Sequence, residues 1–71
     1  MEEGLLSQLT TRQREIAGFV AQGLRDKEIA RELCLSIHTV RWHLREATRR
    51  TRASRVQLAV AVAVERAMRE D

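Results

Sequence analysis

Apolar residues recur at intervals of three and four along most of the chain, as they do on one face of an α-helix. Thr10 and Gln13 have the spacing of a capping box at the start of a first helix, and Gly23 is placed to end it. The apolar stripe between them comprises Ile16, Phe19, Val20 and Leu24. Asp26 is the predicted N-cap of a second, short helix, whose buried face is Ile29, Ala30 and Leu33.

The second half of the chain predicts two longer helices. Ser36 is the predicted N-cap of a third helix that runs to about residue 52, with Leu35 packed beneath the preceding turn. At about 100° per residue, one side of this helix carries the core stripe Ile37, Val40, Leu44, Ala47 and Thr51. Ser54 begins a fourth helix over residues 55–69, because strong helix formers flank the alternating segment 60–64. The chain has no proline and three glycines, which favours an all-α fold.

Length and composition indicate one small domain. With 71 residues the core is marginal, and the apolar fraction of 44% lies well above the disordered range. A flexible arm is expected over residues 1–8 and the folded domain over residues 9–71. The acidic start does not resemble a signal peptide, no segment approaches the roughly 20 apolar residues of a membrane span, and a single cysteine excludes an internal disulfide. We therefore expect a cytoplasmic protein without a membrane partner.

Positive charge is concentrated in residues 37–55, whose net charge is +5, whereas residues 1–36 and 56–71 each carry −1. The side of the third helix opposite the core stripe carries His38, Arg41, Trp42, Arg45, Arg49 and Arg52. Such a face indicates a surface that meets polyphosphate, although arginine-rich faces also occur for solvation alone. The short helix, the three-residue turn and the small Ala30 at the crossing with Val40 predict a helix-turn-helix.

The sequence indicates no enzyme. It has no metal-ligand spacing, no glycine-rich phosphate loop and no nucleophile–base pair with a credible third member. Cys34 and His38 form the one nominal dyad, but Cys34 occupies the turn, where a structural role is expected and a redox switch is a remote alternative. We therefore expect no catalytic residue, metal or cofactor.

Four segments of the sequence together form a pattern that is specific to one protein family, although each segment alone is weak evidence. They are Leu9-Thr10-Thr11-Arg12-Gln13-Arg14-Glu15, Ala21-Gln22-Gly23, Asp26-Lys27-Glu28-Ile29-Ala30-Arg31-Glu32-Leu33 and Ser36-Ile37-His38-Thr39-Val40-Arg41-Trp42-His43-Leu44. Together they resemble the LuxR-type (GerE-type) regulators of bacterial transcription over roughly residues 9–66. The sequence departs from that pattern at Gln13, Ala17, Asp26, Ala47, Thr51 and the link 52–55, which is one residue shorter.

The resemblance implies a four-helix, LuxR/GerE-like helix-turn-helix bundle that binds double-stranded DNA through residues 37–52 in the major groove. It implies base contacts from Arg41, Trp42 and Arg45 and phosphate contacts from Lys27, Thr39, His43 and Arg49. The alternatives are that Lys27 is merely solvated, that Thr39 packs, and that His43 holds the fold by a hydrogen bond. RNA polymerase is a further expected partner of such a regulator.

The last helix is apolar around more of its circumference than one core contact needs. One face carries Val56, Ala59, Val60 and Ala63, and the resemblance implies that this is the dimerisation helix. A weak homodimer, strengthened on a two-fold symmetric site, is therefore expected. The alternative is that Ile16, Phe19 and Leu24 of the same chain cover this face.

Two other functions stay open. The −35-reading domain of sigma factors shares Ile29-Ala30-x-x-Leu33 and Thr39-Val40-Arg41, whereas His43-Leu44 and Leu9-Thr10-x-Arg12 favour the LuxR-type interpretation. A helical protein-interaction adaptor would dimerise through the last helix without binding DNA. Such an adaptor is expected to lack salt-sensitive binding to duplex DNA.

Overall fold

In the computed structural model, which describes residues 4–69, four α-helices follow a short 3-10 helix. The 3-10 helix is Leu5–Gln8, and the α-helices are α1 (Thr11–Ala21), α2 (Asp26–Leu33), α3 (Ile37–Thr51) and α4 (Arg55–Arg69). No strand occurs within residues 4–69, so the predicted all-α helix-turn-helix fold is confirmed. None of the helices in this range is long and apolar enough to cross a membrane.

Local hydrogen bonds explain the boundaries of α1 and the start of α3. The Gln13 amide donates to Thr10 Oγ1 at 3.1 Å and the Thr10 amide donates to Gln13 Oε1 at 3.0 Å, which completes the predicted capping box. Gly23 has a φ of 91°, the left-handed conformation that ends α1. At α3, the Thr39 amide donates to Ser36 Oγ at 3.0 Å, which confirms Ser36 as the N-cap.

Helix α2 begins one residue earlier than predicted. Asp26 is its first helical residue and Arg25 is the N-cap, so the prediction of Asp26 as N-cap is wrong. The cap hydrogen bond comes from Glu28, whose Oε1 accepts from the Arg25 amide at 2.7 Å. The Asp26 carboxylate is consequently free to contact other side chains. Helix α4 starts as predicted, because Ser54 and Gln57 cap each other reciprocally at 2.8 and 3.1 Å.

Two apolar clusters lie on either side of α1. One cluster joins α1 to α2 and α3 through Ile16, Ile29, Ala30, Val40 and Leu44. The other joins α1 to α4 and the end of α3 through Leu6, Ala17, Ala47, Ala53, Leu58 and Val62. Helix α1 therefore holds the helix-turn-helix on one side and α4 on the other.

The 3-10 helix packs onto the second cluster, in contrast to the arm expected over residues 1–8. Leu6 is buried in the same cluster as Ala47, and Arg14 Nη2 donates to the Leu6 carbonyl at 3.2 Å. Leu6 thus supplies apolar volume to the cluster that contains the small Ala47, one of the positions at which the sequence departs from the LuxR-type pattern. Residues 1–3 lie outside the described part of the chain.

Helix α3 ends at Thr51, whose hydroxyl group closes the C-terminal turn. Thr51 Oγ1 donates to the Ala47 carbonyl at 2.7 Å and accepts from the Ala53 amide at 3.2 Å. Arg52 follows in the left-handed conformation with a φ of 61°, and Ala53 is buried in the second cluster. The short link to α4 is therefore tied to the fold by Thr51 and Ala53.

Candidate nucleic-acid interface

The turn between α2 and α3 fixes the crossing of these two helices. Cys34 has a left-handed backbone with φ 56° and ψ 42°, and the Leu35 amide donates to the Ala30 carbonyl at 2.9 Å. Ala30 and Val40 are both buried in the cluster that joins the helices. A small residue therefore lies at the contact, as the sequence predicted, and Cys34 occupies a position that favours glycine.

Helix α3 presents its arginines on the side opposite its buried stripe. Val40, Leu44 and Ala47 are all buried, and the exposed residues are His38, Arg41, Trp42, Arg45, Arg49 and Arg50. Trp42 is 51% exposed, a large fraction for an aromatic side chain in a small domain. The rotation predicted for this helix is therefore confirmed. Arg52 lies just beyond the helix and is also exposed.

The predicted phosphate-contacting residues lie at the margins of this face. Lys27 is exposed in the first turn of α2, and Arg49 is exposed towards the end of α3. Thr39 is half-buried, with its Oγ1 2.9 Å from Ser36 Oγ, so its hydroxyl group also takes part in capping α3. His43 is half-buried against Trp42, with the ring centroids 5.0 Å apart in an edge-to-face arrangement. Within residues 4–69 no side-chain hydrogen bond holds His43 in the fold.

A cleft of about 410 Å³ separates the N-terminus of α2 from the first turns of α3 and α4. Its lining includes Arg25, Asp26, Lys27, Arg41 and Arg55. The cleft therefore places Lys27 beside Arg41, although these residues come from different helices. Four of these five side chains are basic, and Asp26 is the acidic one.

The Asp26 carboxylate contacts arginines from two other helices. Its Oδ2 accepts a hydrogen bond from Arg41 Nε at 3.3 Å, and its Oδ1 lies 2.7 Å from Arg55 Nη1, an ion pair by distance that does not have hydrogen-bond geometry. The Asp26 side chain is 20% exposed, against 53% for Arg41. The sequence identified Arg41 but not these ion pairs, because nothing in the local spacing brings the three residues together.

Glu46 is the one acidic residue of α3, and it is paired with Arg49 at 2.7 Å. The hydrogen bond from Arg49 lowers the pKa of Glu46, to which the charges of Arg49, Arg45 and Arg50 add, and it raises the pKa of Arg49. Glu46 is therefore ionised at neutral pH and offsets the charge of Arg49. Within residues 4–69, no ion pair engages Arg45 or Arg50.

Helix α4 exposes an apolar face on the side away from the core. Leu58 and Val62 are 1% and 3% exposed, whereas Val56 and Val60 are 69% and 54% exposed. Ala63 is exposed and Ala59 is half-buried on the same side. The alternative in which Ile16, Phe19 and Leu24 cover this face is wrong, because these residues pack in the cluster with α2 and α3.

Comparison with known proteins agrees with this architecture. The luxR family of bacterial regulatory proteins (GerE) matches residues 7–63. The monoamine regulon transcriptional regulator of Klebsiella aerogenes is 44% identical over 50 residues, which are 70% of this chain and 22% of that protein. The nitrate/nitrite response regulator protein NarL of Escherichia coli (strain K12) is 42% identical over 62 residues, 86% of this chain and 29% of that protein.

The chain thus spans less than a third of the length of these curated relatives, at 22% and 29%. No solved structure matches the chain with statistical significance.

Proposed function

Because the chain belongs to the luxR family of bacterial regulatory proteins, a family of DNA-binding transcription regulators, we propose that it reads specific sequences with α3 in the major groove. The observation that carries this proposal is the exposed face of α3, where Arg41, Trp42 and Arg45 lie opposite the buried stripe. The major groove admits an α-helix, and an arginine there donates two hydrogen bonds to guanine O6 and N7. The Trp42 ring contacts a thymine methyl group or the sugar-phosphate wall.

The phosphate contacts position the domain on the duplex. We assign them to Lys27, Thr39, His43 and Arg49, which border the base-reading face on both sides. The exposure of Lys27 and Arg49 supports this role, since each can reach a phosphate without leaving a buried site. Such contacts supply affinity for any sequence, whereas base contacts supply discrimination.

Homodimerisation through α4 is the second part of the proposal. The stripe of Val56, Ala59, Val60 and Ala63, of which Ala59 alone is half-buried, supports it. Its alanines let two helices approach closely, and its valines add apolar area to the contact. A dimer with two-fold symmetry binds a site made of two half-sites. The regulator is proposed to act in the cytoplasm, with RNA polymerase as a further partner.

A gel-shift titration of duplex DNA across a range of salt concentrations tests DNA binding directly. If each protomer neutralises about four to six phosphates, the logarithm of the binding constant falls with the logarithm of the salt concentration with a slope of about −4 to −5. A slope near zero, or no retardation of the duplex at low salt, contradicts the proposal. That result would favour the adaptor that dimerises without binding DNA.

Selection of bound DNA followed by sequencing tests the base contacts. Arg41→Ala and Arg45→Ala are each expected to remove about 1–3 kcal/mol of discrimination at one base pair. Lys27→Ala is the matched control, since it removes one positive charge and is expected to weaken binding to all sequences evenly. If the arginine variants select the same sites as the parent protein, these arginines do not read bases.

A further inference from the structure

The ion pair between Asp26 and Arg41 engages the guanidinium group through one particular nitrogen. Arg41 donates from Nε to Asp26 Oδ2 at 3.3 Å. Within residues 4–69, no hydrogen bond or ion pair occupies Arg41 Nη1 or Nη2. These terminal nitrogens carry the remaining N–H groups of the planar fork, so the contact through Nε restricts the orientation of the plane without occupying its outer edge.

The Asp26 carboxylate is itself held from three directions. Its other oxygen, Oδ1, lies 2.7 Å from Arg55 Nη1 at the start of α4. Asp26 is the first residue of α2, where the partial positive charge of the helix N-terminus favours a carboxylate. The side chain is only 20% exposed, so both its position and its rotamer are restricted by the packing of the cleft.

We propose that Asp26 is a positioning residue for base readout: it orients Arg41 through Nε so that Nη1 and Nη2 face the base edge. This inference rests on the proposed function, in which Arg41 contacts DNA. An exposed ion pair contributes little to the stability of a fold, and Arg41 is 53% exposed. The ion pair instead reduces the rotamer freedom of the Arg41 side chain before DNA binds.

The Asp26 carboxylate also weakens binding to DNA that lacks the base pair read by Arg41. Asp26 lies in the cleft with Lys27, next to the proposed phosphate-contacting surface, and a fixed negative charge there repels phosphate. A loosely bound duplex must draw Arg41 and Arg55 away from Asp26 to pair them with phosphates. Asp26 therefore raises the ratio of specific to non-specific binding in two ways: it orients Arg41 for base contact, and it repels phosphate.

Asp26→Asn tests this inference, because asparagine keeps the shape of the side chain but removes its charge. The cap of α2 is retained, since the Arg25 amide donates to Glu28 and not to Asp26. Glu32→Gln is the matched control: it removes one negative charge from an exposed position of α2 that forms no ion pair within residues 4–69. Each variant is measured by selection of bound DNA and by salt titrations on a selected and an unrelated duplex.

For Asp26→Asn we expect discrimination at the base pair read by Arg41 to fall about two- to fivefold, the range that an exposed ion pair supplies. We expect binding to the unrelated duplex to strengthen, with a salt slope steeper by up to about 2, because Arg41 and Arg55 are then each available to a phosphate. Glu32→Gln is expected to leave discrimination unchanged. The thermal unfolding of both variants is expected to follow that of the parent protein closely.

A double-mutant comparison assigns the effect to Arg41. In an Arg41→Ala background, Asp26→Asn is expected to cause no further loss of discrimination, because the residue that it orients is absent. The inference is overturned if Asp26→Asn matches Glu32→Gln in discrimination, or if its loss persists in the Arg41→Ala background. Failure of the parent protein to bind duplex DNA at low salt would overturn the proposed function itself, which is a distinct outcome.

Discussion

Val60→Glu separates a role of α4 in association from a role in the monomer core. Val60 is 54% exposed and lies with Val56 and Ala63 on the side of α4 opposite Leu58 and Val62. A glutamate at this position remains solvated in the monomer, so we expect the helix to form normally. In a dimer that buries this face, however, two carboxylates enter an apolar contact, where their desolvation opposes association.

The exposed fractions of the valines on α4 give an estimate of the free energy of dimerisation. Full burial of a valine side chain contributes about 1.5 kcal/mol or more, and Val56, Val60 and the flanking Val64 are still 69%, 54% and 52% exposed. Covering these fractions contributes roughly 2.5 kcal/mol per protomer, or roughly 5 kcal/mol per dimer. Association itself costs about 4 kcal/mol or more in lost translational and rotational freedom. The margin is small, so we expect a weak dimer that the loss of Val60 abolishes.

Three measurements test the effect of Val60→Glu on association, helicity and DNA binding. Sedimentation equilibrium is expected to give a monomeric mass for Val60→Glu even at high concentration, while circular dichroism gives near-native helicity. Gel shifts are expected to show loss of cooperative binding to a duplex with two half-sites, with weak binding to a single half-site retained. Gln57→Glu is the matched control, because it adds the same charge off the apolar stripe and its carboxylate can still accept from the Ser54 amide.

Two results would refute this reasoning. A fall in melting temperature of more than about 10 °C corresponds to over 1 kcal/mol in a domain of this size and would place Val60 in the monomer core. Unchanged mass, melting and cooperativity would mean that α4 faces solvent on this side even in the DNA complex. In either case Val60 does not lie in a dimer interface formed by α4.

Three further predictions concern the turn, the helix contact and the readout face. Cys34→Gly is expected to raise the free energy of unfolding by about 0.5–1 kcal/mol in urea denaturation, since glycine adopts a φ of 56° without strain; a loss of stability would contradict this. Gly18→Ala is expected to stabilise by up to about 1 kcal/mol, because the nearest atoms to an added Cβ belong to the mobile end of Arg66; clear destabilisation would show that Arg66 cannot move. Trp42 is expected to emit at long wavelength in the free protein and to change on duplex addition, whereas quencher protection without DNA would contradict its exposure.

The helices were predictable because their signals are local. The reciprocal bonds of Thr10 with Gln13 and of Ser54 with Gln57 join residues three positions apart, so the sequence alone determines them. The start of α2 was missed because Asp26 is the residue there that N-caps prefer, whereas the N-cap of α2 is Arg25, which is not a preferred type. Spacing does not reveal that the Glu28 side chain makes the cap bond.

The packing of the 3-10 helix depended on distant residues. Leu6 is buried in the cluster that contains Ala47 and Leu58, and no periodicity in residues 1–8 indicates packing partners so far along the chain. The small Ala47, one of the departures from the LuxR-type pattern, is buried in the cluster to which Leu6 adds volume. The packing of the 3-10 helix and the burial of Ala47 therefore both belong to one cluster that only the tertiary fold creates.

The position of the charged face on α3 was predictable from the sequence, but the ion pairs that engage some of its arginines were not. These ion pairs affect how each arginine can contact DNA. Periodicity places Arg41, Arg45 and Arg49 on the outer side of α3, yet Asp26 and Glu46 pair with two of them. Among the described residues, Arg45 and Arg50 have no such partner. Unpaired arginines meet phosphates without breaking an ion pair, whereas a paired arginine must keep or exchange its carboxylate. Arg45 is therefore expected to contact its base without breaking an ion pair, and Arg41 to do so while Asp26 orients it. Arg49 is expected to exchange Glu46 for a phosphate, which lowers its net contribution to affinity.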